Sequence, residues 1–293
     1  MDKNMEELEA ARAEAIEKDQ CFSKGRLRDE FRMKPKPDAE PVTFYKNGYG
    51  GQFGVYKISD CVPMKARCTK PPSEKQKRAR AILAVKAKLN SKEAKTSCRA
   101  IRWLDENPLF LDTETTGLDD QAQILELAIS DAQGCILFET RLRPTVPIDP
   151  EAEGVHGITV ESLANSTTWP EVSTQVRKIL CGRSLVIFNA DFDTRMFQQT
   201  AAAFGEPVEW VSELKTHCAM YLAADAFGPT NRHGSISLAD AVDCAGVAWR
   251  GAAHGAVADT LATVDLVQAI AAIRCNLEAE LTGLLTEDEN ANI

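Results

Sequence analysis

The sequence contains no unbroken run of about eighteen apolar residues, the length that a membrane-spanning helix needs. Its opening stretch, Met1 to Gln20, is polar and rich in Glu, with no apolar core of the kind a secretory signal carries. The expectation is therefore a cytoplasmic protein with no membrane partner. Nor is there a zinc-type cysteine pair: Cys61 and Cys68 are too widely spaced for a Cys-x₂₋₄-Cys knuckle, and no His stands near them. The nine cysteines are scattered and odd in number, as expected of reduced thiols and not of a disulfide framework.

Positive charge is also missing, but from one part of the chain only. Residues 103–293 hold 10 Lys and Arg against 29 Asp and Glu, whereas residues 1–102 hold 24 against 14. The net −9 thus conceals a basic segment of +10 and an acidic one of −19. Basic density peaks from Pro63 to Arg102, where 13 Lys and Arg face only Glu74 and Glu93. Such a stretch attracts a polyanion in a salt-dependent way, although an ordinary solvated Lys/Arg helix has the same composition. Three regions are expected: a basic one over 1–102 for nucleic-acid or partner binding, a catalytic domain over 103–275, and a short acidic tail over 276–293, frayed from Thr286 onward.

Within the basic region, Met5 to Phe31 has helical composition with a thin apolar stripe, and Pro35, Pro37 and Pro41 read as a linker. Val42 to Ile58 places two β-rich runs around Asn47-Gly48 and Gly50-Gly51, a hairpin signal. Its aromatics alternate with Lys, which suits either a hairpin core or stacking on single-stranded bases. Pro71 to Leu89 reads as a basic helix with a narrow apolar face at Ile82, Leu83 and Val85.

Beyond Asn107-Pro108 the pattern changes to strands at Leu109–Asp112, Gln123–Ser130 and Cys135–Arg143, joined by short turns and so antiparallel. Helical patterns then cover Ile158–Leu180, broken at Pro170, and Asp191–Phe204, Lys215–Phe227, Ser237–Ala245 and Gly255–Ile273, with a strand at Leu185–Phe188. The fold class is α/β, a mixed sheet covered by helices.

Asp112 and Glu114 end the first of these strands. They are one residue apart, so they project from the same face, where mutual repulsion demands a cation or a proton. Alone, an Asp-x-Glu is more readily a solvated turn after a strand, so the case rests on partners elsewhere. The acidic theme recurs at Asn189-Ala-Asp-Phe-Asp193, after the next strand, and at His254-Gly-Ala-Val-Ala-Asp259, opening the last long helix. His254 and Asp259 lie five apart, about 140° round a helix, so His254 belongs to the loop before it. Asp191 competes with Asp193 for the acidic role, and capping the N-terminus of its helix is the alternative task for Asp191. Phosphodiester hydrolysis gives all these groups a purpose, because divalent ions held by carboxylates stabilise both the attacking and leaving oxygens while a His takes the water's proton.

Together with Asp149-Pro-Glu-Ala-Glu-Gly-Val-His-Gly-Ile-Thr159, these blocks resemble the DEDDh (DnaQ-like) 3′→5′ exonucleases over about residues 109–273. The resemblance implies an RNase H-like sheet of five mixed strands, metal binding by Asp112, Glu114, Asp193 and Asp259, and His254 as general base. It also implies two Mg²⁺ or Mn²⁺ ions, and substrate contacts from Thr115, Leu118, Glu151 and His156. Many relatives have a His where Phe188 stands, and a packing change is expected there. The implied activity is release of 5′-mononucleotides from DNA with a single-stranded 3′ end, in replication or repair. An exoribonuclease, or a non-catalytic module recruiting a polymerase or repair complex through residues 1–102, is the alternative.

Overall fold

A computed structural model describes residues 5–46, 51–65, 71–251 and 253–290. The chain divides into two compact units, Met1–Pro72 and Ser73–Ile293.

The first unit comprises α1 (Met5–Glu17), β1 (Cys21–Ser23), α2 (Lys24–Phe31), β2 (Met33–Pro35), β3 (Thr43–Lys46), β4 (Gln52–Lys57) and β5 (Cys61–Pro63). The single helix expected from Met5 to Phe31 is interrupted, because Asp19 turns the chain at a φ of 48° and Ser23 then caps α2 by accepting the Arg26 N–H. Phe22, Leu27, Phe31, Met33, Tyr56 and Ile58 form this unit's core. The expected hairpin is present as the antiparallel β3–β4 pair, and its turn, Asn47 to Gly50, lies outside the described residues. Part of the expected linker is a strand, since β2 pairs with β5.

The second unit comprises α3 (Glu74–Leu89), α4 (Lys92–Asp105), β6 (Leu109–Thr115), β7 (Ile124–Asp131), β8 (Ile136–Arg141), α5 (Pro150–His156), α6 (Trp169–Leu180), β9 (Ser184–Ile187), α7 (Ala190–Ala203), α8 (Glu209–Ser212), β10 (Lys215–Cys218), α9 (Ala219–Phe227), α10 (Leu238–Ala245) and α11 (Ala256–Asn290). Its sheet runs β10-β9-β6-β7-β8, with β7 antiparallel to both neighbours and β6, β9 and β10 parallel. This is the mixed, helix-flanked RNase H-like sheet that the resemblance implied. Alternation along β6 sends Leu109 and Leu111 to a core shared with Trp169, Val176, Met196 and Phe197 of α6 and α7. Phe110 goes to the opposite face, against Leu222 of α9 and Val264 and Val267 of α11.

Four expectations need correction. The boundary falls at Pro72, not near Arg102, because α3 and α4 pack on α11. Charge density reported only their solvent faces: Ala94, Ser97 and Ala100 are buried, and Ser97 Oγ donates to the Ala271 carbonyl at 2.8 Å. Residues 276–290 are not a separate tail but the last turns of α11, where the Arg78 guanidinium donates to the Leu284 carbonyl at 2.8 Å. The helix expected from Lys215 begins only at Ala219; Lys215–Cys218 is an edge strand whose four residues, Lys-Thr-His-Cys, carry no apolar alternation. The helix expected from Ile158 begins at Trp169, where Thr168 and Glu171 form a capping box, so Pro170 starts that helix and does not break one.

By length and composition, Ala256–Thr286 of α11 could cross a bilayer, with a mean hydropathy of 1.6. Its apolar residues Ala262, Val264, Leu266, Val267 and Ile270 are buried in the protein core.

Candidate active site

The two faces of β6 deliver different parts of the site. Asp112 and Glu114 share the parity of Phe110 and so project to the α11 face, where Asp259 occupies the first turn. Ligand oxygens of Asp112, Glu114 and Asp259 lie within 4.8 Å of one another. Thr113, on the other face, donates its hydroxyl to Asp193 Oδ1 of α7 at 2.7 Å, and both side chains are buried. The ladder to β7 shifts register between Glu114 and Thr115, a bulge at the site's edge. All four acids, with Phe188, Phe192 and His254, line a depression of about 240 Å³.

Electrostatics mark the depression as short of positive charge. Burial, then Asp193, Asp259, Glu114 and Glu126, hold the Asp112 carboxyl well above the usual range. Burial and the Asp259, Glu126 and Asp193 carboxylates push Glu114 up to about 8. Burial raises Asp193 to about 7 against the opposing hydrogen bond from Thr113, and burial likewise raises Asp259. Carboxyls that hold protons more tightly folded than unfolded make the folded state bind more protons, so metal-free stability must fall as pH rises from about 4 to 8. Thermal unfolding in EDTA should therefore show Tm dropping across that range. Added Mg²⁺ should raise Tm more at pH 8 than at pH 5.5, and a flat metal-free profile would contradict the account.

Asp191 is exposed in the first turn of α7, where Asn189 and not Asp191 is the N-cap, and the buried acid is Asp193. His254 lies on the loop ahead of α11, as expected, with a left-handed φ of 63°. Its backbone N–H donates to Asp259 Oδ1 at 3.1 Å, so that carboxylate also fixes the turn carrying the imidazole. Phe188 is half-buried and packs against the α9–α11 core.

The four expected substrate-side residues share a neighbouring cleft of about 580 Å³, which borders the acids at Thr113, Glu114 and Phe192. Leu118 is 76% exposed and Glu151 is exposed on α5. Thr115 is buried, with its hydroxyl donated to the Gly117 carbonyl. His156 has both ring nitrogens engaged by backbone: Nδ1 accepts the Ile158 N–H at 3.0 Å, which leaves Nε2 to donate to the Thr115 carbonyl at 3.1 Å. Burial lowers its pKa, so a neutral ring pins α5 to β6 and walls the cleft with no polar atom to spare.

Glu126 is a further acid of the site that sequence spacing alone does not mark. It sits directly opposite Glu114 in the β6–β7 register, accepts from Arg141 Nε at 2.9 Å and receives the Ala256 N–H at 3.0 Å. The same carboxylate thus ties the start of α11 to the strand beside Glu114. Its only signal in the sequence is an acid among the apolar residues of 124–129. Glu126→Gln should raise the Mg²⁺ concentration for half-maximal activity about tenfold, as loss of a supporting charge does at metal sites. A titration unchanged within twofold would remove it from the site.

The exonuclease family RNase_T matches across residues 109–267, which include all four acids and His254. The chain belongs to this exonuclease family. Uncharacterized exonuclease CP81 of Escherichia phage 186 is 38% identical over 184 residues, 61% of this chain and 95% of its own length. Uncharacterized protein pSLT049 of Salmonella typhimurium (strain LT2) is 50% identical over 127 residues, 43% of this chain and 91% of its own length. DNA polymerase III subunit epsilon of Escherichia coli (strain K12) is 37% identical over 95 residues, 29% of this chain and 39% of its own length.

Proposed function

We propose that this exonuclease removes nucleotides from the 3′ end of DNA, working on single-stranded or frayed ends and releasing 5′-mononucleotides. The observation that carries this reading is the convergence of Asp112, Glu114, Asp193 and Asp259 beside a cleft walled by Leu118 and Glu151. Their donor set is all carboxylate, which fits Mg²⁺ or Mn²⁺, and carboxyls with raised pKa are those a cation would relieve. Asp112, Glu114 and Asp259 would hold one ion between them, and Asp193 extends the set toward a second. When bound, two such ions supply a hydroxide near neutral pH and neutralise charge on the attacking and leaving oxygens.

The side chains have separate tasks. His254 takes the proton of the attacking water, imidazole being the group suited to that work near neutrality, while Asp259 holds its turn in place. Leu118 offers an apolar surface to the terminal base, and Glu151 accepts a hydrogen bond from the sugar. Similarity to polymerase III epsilon subunits supports DNA as the substrate. The scattered free cysteines suit work in the reducing cytoplasm.

Digesting labelled DNA and RNA of one sequence side by side tests the substrate. DNA should be shortened faster; a faster loss of RNA would make the enzyme an exoribonuclease. No shortening of either would favour a module that recruits a polymerase or repair complex.

A further inference from the structure

Among its described residues, the first unit leaves three aromatic rings in solvent. The core of this unit is filled by Phe22, Leu27, Phe31, Tyr56 and Ile58, and along β4 burial begins only at Val55. β1 supports that end alone, pairing with Val55, Tyr56 and Lys57. Before it, Gln52–Gly54 pairs with β3 alone and forms a two-stranded ribbon. Tyr45 stands opposite Phe53 with ring centroids 6.0 Å apart and planes at 29°, and the two are 56% and 42% exposed. Phe44, 62% exposed, points to the other face, the face of Lys46.

A cross-strand aromatic pair helps to hold a hairpin together, but that task does not call for a third ring on the opposite face. Charge selects the occupant. From Pro41 to Ile58 the only charged residues are Lys46 and Lys57, and Lys57 is paired with Asp19 at 2.7 Å. The described ribbon is therefore acid-free, with flat π-faces on both sides and a lysine beside them. Residues 103–293, by contrast, carry −19 and belong to an exonuclease, whose substrate is a polyanion. Stacking on aromatic faces with cationic support is how proteins hold single strands without reading sequence.

We infer that the β3–β4 ribbon binds single-stranded nucleic acid, with Tyr45 and Phe53 taking a base on one face, Phe44 taking one on the other, and Lys46 meeting phosphate. This surface lies outside the catalytic unit, so its binding and the proposed cleavage chemistry can fail separately.

The test is fluorescence anisotropy of the full chain in EDTA, which prevents cleavage, with a labelled oligothymidylate and an abasic oligomer of equal length. The Tyr45→Ala/Phe53→Ala variant should bind the oligothymidylate about fivefold to a hundredfold more weakly, the range expected for loss of base stacking. Its affinity for the abasic oligomer should be unchanged, and Tyr45→Trp should retain binding to the oligothymidylate. Cleavage of a dinucleotide should be unaffected, because none of these rings belongs to the catalytic unit. If the double variant loses the hairpin, seen as a fall in Tm, Phe44→Ala becomes the deciding variant, with at least about a fivefold loss expected. Equal oligothymidylate affinity in wild type and variants would overturn the inference and leave a protein as the ribbon's occupant.

Discussion

Asp112→Asn protein supplied with Mg²⁺ is expected to release nucleotides at least about a thousandfold more slowly than wild type, because several kcal/mol of charge stabilisation disappear at 1.36 kcal/mol per decade. Asp112 is the acid whose neighbours are most acidic: Asp193, Asp259, Glu114 and Glu126 all raise its pKa. Asn keeps the size and removes the charge, so the same substitution should relieve repulsion in the metal-free protein. Tm in EDTA at pH 8 should therefore rise while activity is lost. A solvated turn with no functional role would show neither effect, and a mutation that merely damaged the fold would lower both quantities.

Deleting residues 1–102 should prevent cooperative folding of the catalytic unit, whereas deleting residues 1–72 should leave it folded. The larger deletion removes α3 and α4, and with them the buried Val85, Ala94, Thr96, Ser97 and Ala100. Ile101, Trp103 and Leu104 of α4 also pack against the α9–α11 core. At about 1.5–3 kcal/mol for each large apolar side chain that loses its burial, several such losses rival the roughly 5–15 kcal/mol stability of a whole domain. The Ser97 bond to Ala271 and the Arg78 bond to Leu284 go as well. Soluble expression and thermal unfolding of the two truncated proteins check this. A 103–293 chain that unfolds as cooperatively, and at the same Tm, as 73–293 would contradict the packing described.

Residues at strand ends and helix starts were legible because their chemistry is local. Asp112 and Glu114 announce themselves by a period of two after an apolar run, and His254 and Asp259 by a spacing that cannot share one helix face. What stayed hidden depends on partners distant in sequence. Glu126 acquires its place only when β7 aligns it with Glu114, and Thr113 looks like a spacer until α7 brings Asp193 to its hydroxyl. His156 lines the cleft, and only the fold reveals that Ile158 and Thr115 engage both of its nitrogens. The boundary at Arg102 failed for a similar reason. Thirteen basic residues describe what a segment shows to water, and say nothing of the stripe through Ile82, Val85 and Leu89 that it turns inward.

We propose a metal-dependent exonuclease that works from the 3′ end. Single-stranded DNA carrying a label at its 5′ terminus, incubated with the full chain in Mg²⁺ and sampled over time, tests it most directly. Such an enzyme leaves a ladder of progressively shorter labelled fragments with 5′-mononucleotides released, abolished by EDTA and by Asp112→Asn. Immediate release of the labelled 5′ nucleotide, or a ladder that persists in EDTA, would contradict it.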